Sequence, residues 1–209
     1  MLDGFQHLPD YLTSQHQSDI IKILHTVLHQ APVFIPTMPR TGKPFSVKMS
    51  NCGSLGWVSD QTSGYRYQPR HPDTDQPWPK MPEFFLKLWN EITAYPHLPE
   101  ACLINFYDKS AKMGLHKDCD EQDFSAPVLS ISLGDSAIFR IGGKTRKDKA
   151  VSLNLHSGDI VVLGGEARFA YHGVTRIRPG TSQLLKRNFP KMFPEGGRLN
   201  LTLRRVTKA

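Results

Sequence analysis

Residues 198–204 read Arg198-Leu199-Asn200-Leu201-Thr202-Leu203-Arg204. Side chains of a β-strand alternate between its two faces. Three leucines therefore share one face, while Arg198, Asn200, Thr202 and Arg204 share the other. The leucine face needs an apolar partner, either a helix or a second sheet. The polar face has two readings: it meets solvent, or it lines a polar cavity. Asn is depleted in strands, and two arginines in register with it make a carboxylate receptor. Arginine suits that task because its planar fork meets both carboxylate oxygens at once. Asn105 and Tyr107 form a second alternating polar pair within A-C-L-I-N-F-Y, residues 101–107. That pattern again predicts either a lined pocket or one wet strand face.

Further short apolar or alternating runs predict strands at 128–133, 137–141, 151–155 and 160–163, with the opening stretch extending over 198–206. Gly134-Asp135, Gly142-Gly143, Ser157-Gly158-Asp159 and Gly164-Gly165 punctuate them. Two amphipathic helices precede these strands. Ser14 and Gln17 fit a capping box with Ser14 as N-cap, and Ile20, Ile21, Ile23, Leu24, Val27 and Leu28 follow at helical spacing up to Pro32. A second helix is predicted over 82–95, with Pro82 in the first turn and Phe84, Phe85, Leu88, Trp89 and Ile92 as its apolar face. Helices followed by many short strands predict an α+β protein with a sandwich or jelly-roll core. A chain of 209 residues suits one domain, 1–209, with 101–206 as its β core.

Between the helices the reading is looser. Residues 33–48 read as loop with short extended pieces, and two glycines in M-S-N-C-G-S-L-G-W (49–57) suggest a turn. Tyr65 and Tyr67 are two apart and would share a strand face. Residues 68–82 hold five prolines, which excludes a helix or a central strand. A loop of that length is either a functional lid or a rigid connector.

Composition narrows the function classes. The formal net charge of +7 points to an anionic partner, nucleic acid first. The three cysteines, Cys52, Cys102 and Cys119, are odd in number and in no C-x-x-C pair. They predict a reduced, cytoplasmic compartment with no disulfide framework or zinc cluster. The start M-L-D-G-F-Q-H-L has neither the basic nor the apolar region of a signal peptide, and no apolar run reaches the ~20 residues of a membrane span.

Residues 105–120 supply a metal-binding pattern. His116-Lys117-Asp118 places an imidazole and a carboxylate two apart, so in extended chain both point the same way. Two such ligands plus a distant histidine make the facial triad of non-haem Fe(II) oxygenases. His172, in F-A-Y-H-G, is the candidate third ligand, because flanking glycines allow close backbone approach. A lone buried histidine is otherwise structural.

Taken in order, N-C-G-S-L-G-W, P-W-P-x-M-P, A-C-L-I-N-F-Y, L-H-K-D-C-D-E, A-P-V-L-S-I-S-L-G, A-I-F-R-I-G-G, H-S-G-D-I-V-V-L-G-G-E, Y-H-G and R-L-N-L-T-L-R resemble the AlkB family of Fe(II)- and 2-oxoglutarate-dependent nucleic-acid dealkylating dioxygenases. The resemblance runs from about Met49 to Arg204. It implies a double-stranded β-helix with the N-terminal helices packed on one sheet, and a nucleotide-recognition lid over 45–80. It implies Fe(II) on His116, Asp118 and His172, and O₂ at the open metal position. It further implies that Arg198 pairs with the distal carboxylate of 2-oxoglutarate, helped by Asn105, Tyr107 and Asn200. Thr202 shares that strand face, and Arg204 would line the same cosubstrate end. Trp57 matches an aromatic that stacks on a flipped base. Tyr65, Arg66 and Tyr67 match a segment gripping the nucleotide, Asp120 an acid contacting the base, and Arg146 a base at the substrate mouth.

The implied activity is oxidative demethylation of N-alkylated bases of the 1-methyladenine and 3-methylcytosine type, in single-stranded DNA, by a monomer with no membrane partner. Two stretches depart from the family pattern. The run from Trp57 to Tyr65 is one residue longer, and 181–197 is longer and more basic, which reads as an exposed loop. Three rivals remain: an RNA-directed enzyme, an oxygenase acting on protein or a small molecule, and a non-enzymatic nucleic-acid-binding barrel with a structural metal.

Overall fold

The computed structural model describes residues 2–208. At its centre lies the opening stretch, strand β12 (Arg198–Arg204), held antiparallel between β5 (Ala101–Tyr107) and β7 (Val128–Gly134). Outside these lie β2 (Lys48–Gly53) next to β5, β10 (Ile160–Leu163) next to β7, and β1 (Phe5–Leu8) at the edge. Leu199, Leu201 and Leu203 are completely buried and pack in one cluster with α1 (Ser14–Gln30) and α2 (Glu83–Thr93). Each such leucine contributes about 1.5–3 kcal/mol, so a one-residue slip that turned them toward the polar face would be costly.

Both helices fall where periodicity places them, with differences at the caps: α2 is shorter than 82–95, and Pro82 is its N-cap and not in its first turn. The N-cap of α1 is Thr13, whose hydroxyl accepts from His16 N at 3.2 Å. Ser14 is already helical, and Gln17 instead donates to Leu12 O and accepts from Ser157 Oγ. The S-x-x-Q spacing is offset by one residue because Thr13 offers the same capping oxygen a position earlier.

A second sheet of four strands faces the polar side of the first. It contains β6 (Met113–His116), β11 (His172–Arg178), β8 (Ser136–Ile141) and β9 (Val151–Leu155), in that order. Phe139, Ile141, Leu155, Val174 and Ile177 from this sheet meet Val128, Val161, Leu163 and Leu103 from the first. The protein is thus α+β, a double-stranded β-helix with its N-terminal helices on the outer face of the larger sheet. Sequence patterning finds β5, β7, β8, β9, β10 and β12 but not β1, β6 or β11, and it reads the β2 stretch as a turn. β6 has only four residues, and β11 is bulged with Thr175, Arg176 and Arg178 exposed, so neither shows clean alternation.

The segment 45–80 is divided. Strand β2 belongs to the main sheet, whereas β3 (Gly56–Asp60) and β4 (Gly64–Gln68) form a separate two-stranded hairpin. Asn51 of β2 ties the two parts together: its Oδ1 accepts from Trp57 N and its Nδ2 donates to Trp57 O, each at 3.1 Å. The proline-rich stretch folds back under the hairpin, where Trp78 is buried and donates Nε1–H to Gln68 O at 2.8 Å. Residues 181–197 include a short helix, α3 (Leu184–Asn188), instead of reading as loop throughout. Leu185, Phe189 and Phe193 bury beneath it, while Lys186, Arg187 and Lys191 stay exposed.

Gly173 lets β6 and β11 approach: a Cβ there would lie 2.5 Å from Met113 O and 2.8 Å from Gly114 O, both backbone atoms. Gly173→Ala is therefore expected to lower stability by roughly 1–3 kcal/mol, read as a fall in the thermal unfolding midpoint.

Candidate active site

Strand β6 ends at His116, so Asp118 follows on an extended rim and not within a strand. Strand β11 begins at His172, which is the direct cross-strand partner of His116. The two imidazole centroids lie 4.5 Å apart. Asp118 Oδ1 is 3.6 Å from His116 Nε2, and Oδ2 is 3.7 Å from His172 Nε2. One ligand atom from each of the three residues lies within 4.8 Å of the others, a spacing that a single ion can bridge.

The histidine tautomers are set by the backbone. His116 Nδ1 lies 3.0 Å from Gly114 O, and His172 Nδ1 lies 3.0 Å from Ala170 O. A carbonyl only accepts, so each Nδ1 donates, and each Nε2 keeps its lone pair for a metal. Burial pushes His172 down to about 4, with Asp118 partly offsetting it. The ring is thus neutral at neutral pH, as ligation requires. Burial would raise the Asp118 carboxyl, but Arg204, then His172 and His116, hold it well below the usual carboxylate range. Its Oδ2 is buried with no hydrogen-bond partner, which fits a carboxylate oxygen reserved for a cation.

The polar face of β12 forms the floor of a cavity that runs from Tyr107 and Arg198 to His116, Asp118 and Arg204. Arg198 is 1% exposed. Its Nη2 donates to Ser132 Oγ at 2.7 Å, whereas Nε and Nη1 have no partner. Burial draws Arg198 down to about 10, against the pull of Tyr107 and Asp159, so it stays charged at neutral pH. Two idle donors on a buried cation fit a carboxylate. Burial also raises the Tyr107 phenol to about 12, which keeps its O–H available as a donor. Asn105 contributes a partnerless Oδ1. Asn200 lines the cavity too, but its amide is engaged with Ser130, Ile131 and Thr202.

Arg204 does not share the Arg198 end. Six positions further along the same face is about 20 Å of strand. There Nη2 meets Asp118 Oδ1 at 2.9 Å and Nη1 meets Glu121 Oε1 at 2.6 Å. The guanidinium therefore belongs to the metal end of the cavity. Glu121 closes the motif L-H-K-D-C-D-E, which implies no role for it, and Arg168 gives no periodic or motif signal in the sequence. Ser132 had one available, the alternation of Ser130 and Ser132 in β7.

At the mouth, Trp57 Nε1 donates to Asp120 Oδ2 at 2.8 Å, and Tyr65 stacks on the indole at 5.6 Å between centroids and 22° between planes. Tyr67, on the same hairpin face, donates its hydroxyl to Glu121 Oε1 at 2.5 Å. Arg66 points to the opposite face and pairs with Asp60 at 2.6 Å. It does not join the two tyrosines, because alternate residues of a strand face opposite ways. Arg146 is exposed, with its guanidinium 5.1 Å from the Tyr171 ring, next to His172.

A jelly roll with two histidines and one carboxylate on its rim, beside a buried arginine with free donors, is the arrangement of a non-haem iron oxygenase. A model of the 2OG-Fe(II) oxygenase superfamily matches residues 4–204. An Alpha-ketoglutarate-dependent dioxygenase AlkB homolog of Caulobacter vibrioides is 48% identical over 209 residues, all of this chain and 90% of that protein. Alpha-ketoglutarate-dependent dioxygenase AlkB of Escherichia coli is 44% identical over 77% of this chain and 76% of its own. The solved structure of OsALKBH1 superposes with a TM-score of 0.81 at 32% identity, covering 98% of this chain and 99% of that one. The chain belongs to the 2OG-Fe(II) oxygenase superfamily and, within it, to the AlkB family. It is an α-ketoglutarate-dependent dioxygenase, with Fe(II), 2-oxoglutarate and O₂ as its cofactor and cosubstrates.

His172→Ala removes one of the three converging ligand atoms. The apoprotein variant is expected to bind Mn(II) at least about 10-fold more weakly than wild type, measured by the loss of the free-ion EPR signal on titration.

Proposed function

We propose that this dioxygenase removes methyl groups from N-alkylated bases of the 1-methyladenine and 3-methylcytosine type in DNA, with single strands preferred. The observation that carries the reading is the aromatic hairpin held over the metal end of the cavity: Trp57, stacked by Tyr65, is anchored to Asp120, two residues from Asp118.

In this reading His116, Asp118 and His172 hold Fe(II). Arg198 takes the distal carboxylate of 2-oxoglutarate with its two idle donors, helped by Tyr107 and Asn105, while Asn200 and Thr202 complete the polar wall. Arg204 faces the cosubstrate's metal-side end. The bound iron and cosubstrate supply the oxidation: one atom of O₂ enters succinate as CO₂ leaves, and the other enters a C–H bond of the methyl group, which departs as formaldehyde.

The chain's remaining task is to present the base. A base in a stack must be extruded, at a cost of a few kcal/mol that is smaller for a damaged or single-stranded base. Stacking on Trp57 returns about 1–3 kcal/mol, enough to offset much of it. The lid in this reading is the β3–β4 hairpin with the proline-rich stretch beneath it. Tyr65 and Tyr67 flank the nucleotide, and Arg146 stands at the mouth. The net charge of +7 supports a polyanionic substrate whose affinity falls with salt.

RNA is the second reading. A relative named DNA N(6)-methyladenine demethylase, from Arabidopsis thaliana, is 31% identical across 96% of this chain and 49% of its own length. One named tRNA demethylase, from Schizosaccharomyces pombe, is 34% identical across 67% of this chain and 48% of its own length. The wider coverage by the former favours DNA. We further place the enzyme as a cytoplasmic monomer. Cys52, Cys102 and Cys119 are all free thiols, which suits a reducing compartment. No helix among the described residues is long and apolar enough to cross a membrane.

Arg198→Lys replaces a fork by one point charge. It is expected to raise the 2-oxoglutarate KM about 10-fold or more, the loss of one charged hydrogen bond, in a succinate-release assay; an unchanged KM would remove Arg198 from the cosubstrate site. Mass spectrometry of oligonucleotides carrying 1-methyladenine or 3-methylcytosine tests the activity itself. Loss of one methyl group that requires Fe(II), 2-oxoglutarate and O₂ together, and runs faster on DNA than on the matched RNA, is the expected result. No methyl loss from either polymer rejects the substrate class.

A further inference from the structure

Residues 117–127, the loop that carries Asp118, contain no helix or strand. No regular backbone ladder runs through that loop; its backbone is tied at Gln122 N and Asp123 N to Val206 O, and the stretch around Asp118 is left to side chains. Arg168 sits in the 3-10 turn Gly165–Phe169, just ahead of His172. Its side chain is 1% exposed, and Arg168 is absent from the cavity lining. Its guanidinium donates three times into the Asp118 loop: Nε to Ala126 O at 3.2 Å, Nη1 to Asp118 O at 2.9 Å and Nη2 to Glu121 Oε2 at 2.9 Å. Phe124 covers the group, with its ring centroid 5.4 Å from Cζ.

We propose that Arg168 is a positioning residue of the metal centre: it clamps the Asp118 loop to the segment that delivers His172, and so fixes how far apart two of the three ligand side chains stand. The inference rests on the reading that His116, Asp118 and His172 hold the ion. The competing account is a buried ion pair that serves stability alone. Two observations favour the clamp. Only one of the three hydrogen bonds goes to a carboxylate; the others fix main-chain carbonyls, one of them that of Asp118 itself. Glu121 is also shared, because its other oxygen takes Arg204 Nη1 at 2.6 Å while Arg204 Nη2 holds Asp118 Oδ1 at 2.9 Å. Without Arg168, Glu121 Oε2 would lose its charged partner, leaving the buried carboxylate with Arg204 and Tyr67 on Oε1 alone. It would draw Arg204 toward itself and away from Asp118.

Charge alone predicts the opposite sign. Removing a cation near a metal site should tighten metal binding, so a test must separate charge from geometry. Arg168→Lys keeps the charge but cannot make the three-point fork. Glu121→Gln/Arg168→Met removes the pair without changing net charge, and such replacements are often neutral for stability. Mn(II) affinity of the full-length apoprotein would be measured by EPR beside thermal melts followed by circular dichroism. Both variants are expected to melt cooperatively and to bind Mn(II) about 10-fold or more weakly, the size of loss seen when a partner of a metal ligand is removed. Either variant folded with wild-type affinity would overturn the clamp. Failure of both to fold would assign Arg168 to stability and overturn it as well. His116→Ala separates the two readings. Unchanged Mn(II) binding there rejects the metal centre itself, whereas weakened binding there beside wild-type affinity in Arg168→Lys rejects only the clamp.

Discussion

One strand has to satisfy two environments that exclude each other. The leucines of β12 sit in the apolar layer under α1 and α2, and the guanidinium groups of the same strand sit in the cavity on its other side. A slip by one residue would put Arg198 and Arg204 among the helices, where a buried charge without a partner costs several kcal/mol. It would also turn leucines toward His116, Asp118 and His172. The register with β5 and β7 is thereby fixed along the whole strand, from Arg198 opposite Tyr107 and Gly134 to Arg204 opposite Ala101 and Val128. The polar wall, the arginines at both ends and the spacing between them follow from that one alternation.

The two ends of the cavity differ in kind. At the metal end, Asp118 and Glu121 face Arg204 and Arg168, so two carboxylates and two guanidiniums balance before any ion enters. At the other end Arg198 is a buried cation with one neutral hydroxyl as its side-chain partner. A small dianion placed between them would meet a metal at one terminus and a lone guanidinium at the other. The apolar wall of Phe139, Leu155, Val161 and Leu163 keeps the surroundings low in dielectric, which strengthens both ends.

The hairpin is joined to this charge cluster and not merely laid across it. Tyr67 donates to Glu121 and accepts from Arg204 Nη1 at 3.2 Å, while Trp57 reaches Asp120. The aromatic surface at the mouth and the carboxylate on the metal rim thus belong to one connected set of side chains. Tyr65 and Tyr67 share a hairpin face with Trp57, and Arg66 is the one the strand's own alternation sends elsewhere.

The sequence by itself determined the parts governed by local period and residue type. Alternation marked β5 to the residue and β12 but for a two-residue overrun past Arg204, helical spacing marked the cores of α1 and α2, and the H-x-D pair stood out because two residues of extended chain aim one way. It did not reveal β6 or β11, since four residues or a bulged, half-exposed run carry too little alternation to read. Only the tertiary structure decided that His116 and His172 are cross-strand partners, that Arg204 reaches Asp118 and Glu121, that Arg168 reaches the Asp118 loop, and that Ser132 meets Arg198. Those contacts join positions far apart in the sequence. A single arginine in G-E-A-R-F has no period to betray it. Its meaning depends on which loop the folded chain brings within 3 Å, and that is settled by packing of the two sheets rather than by any neighbour in sequence.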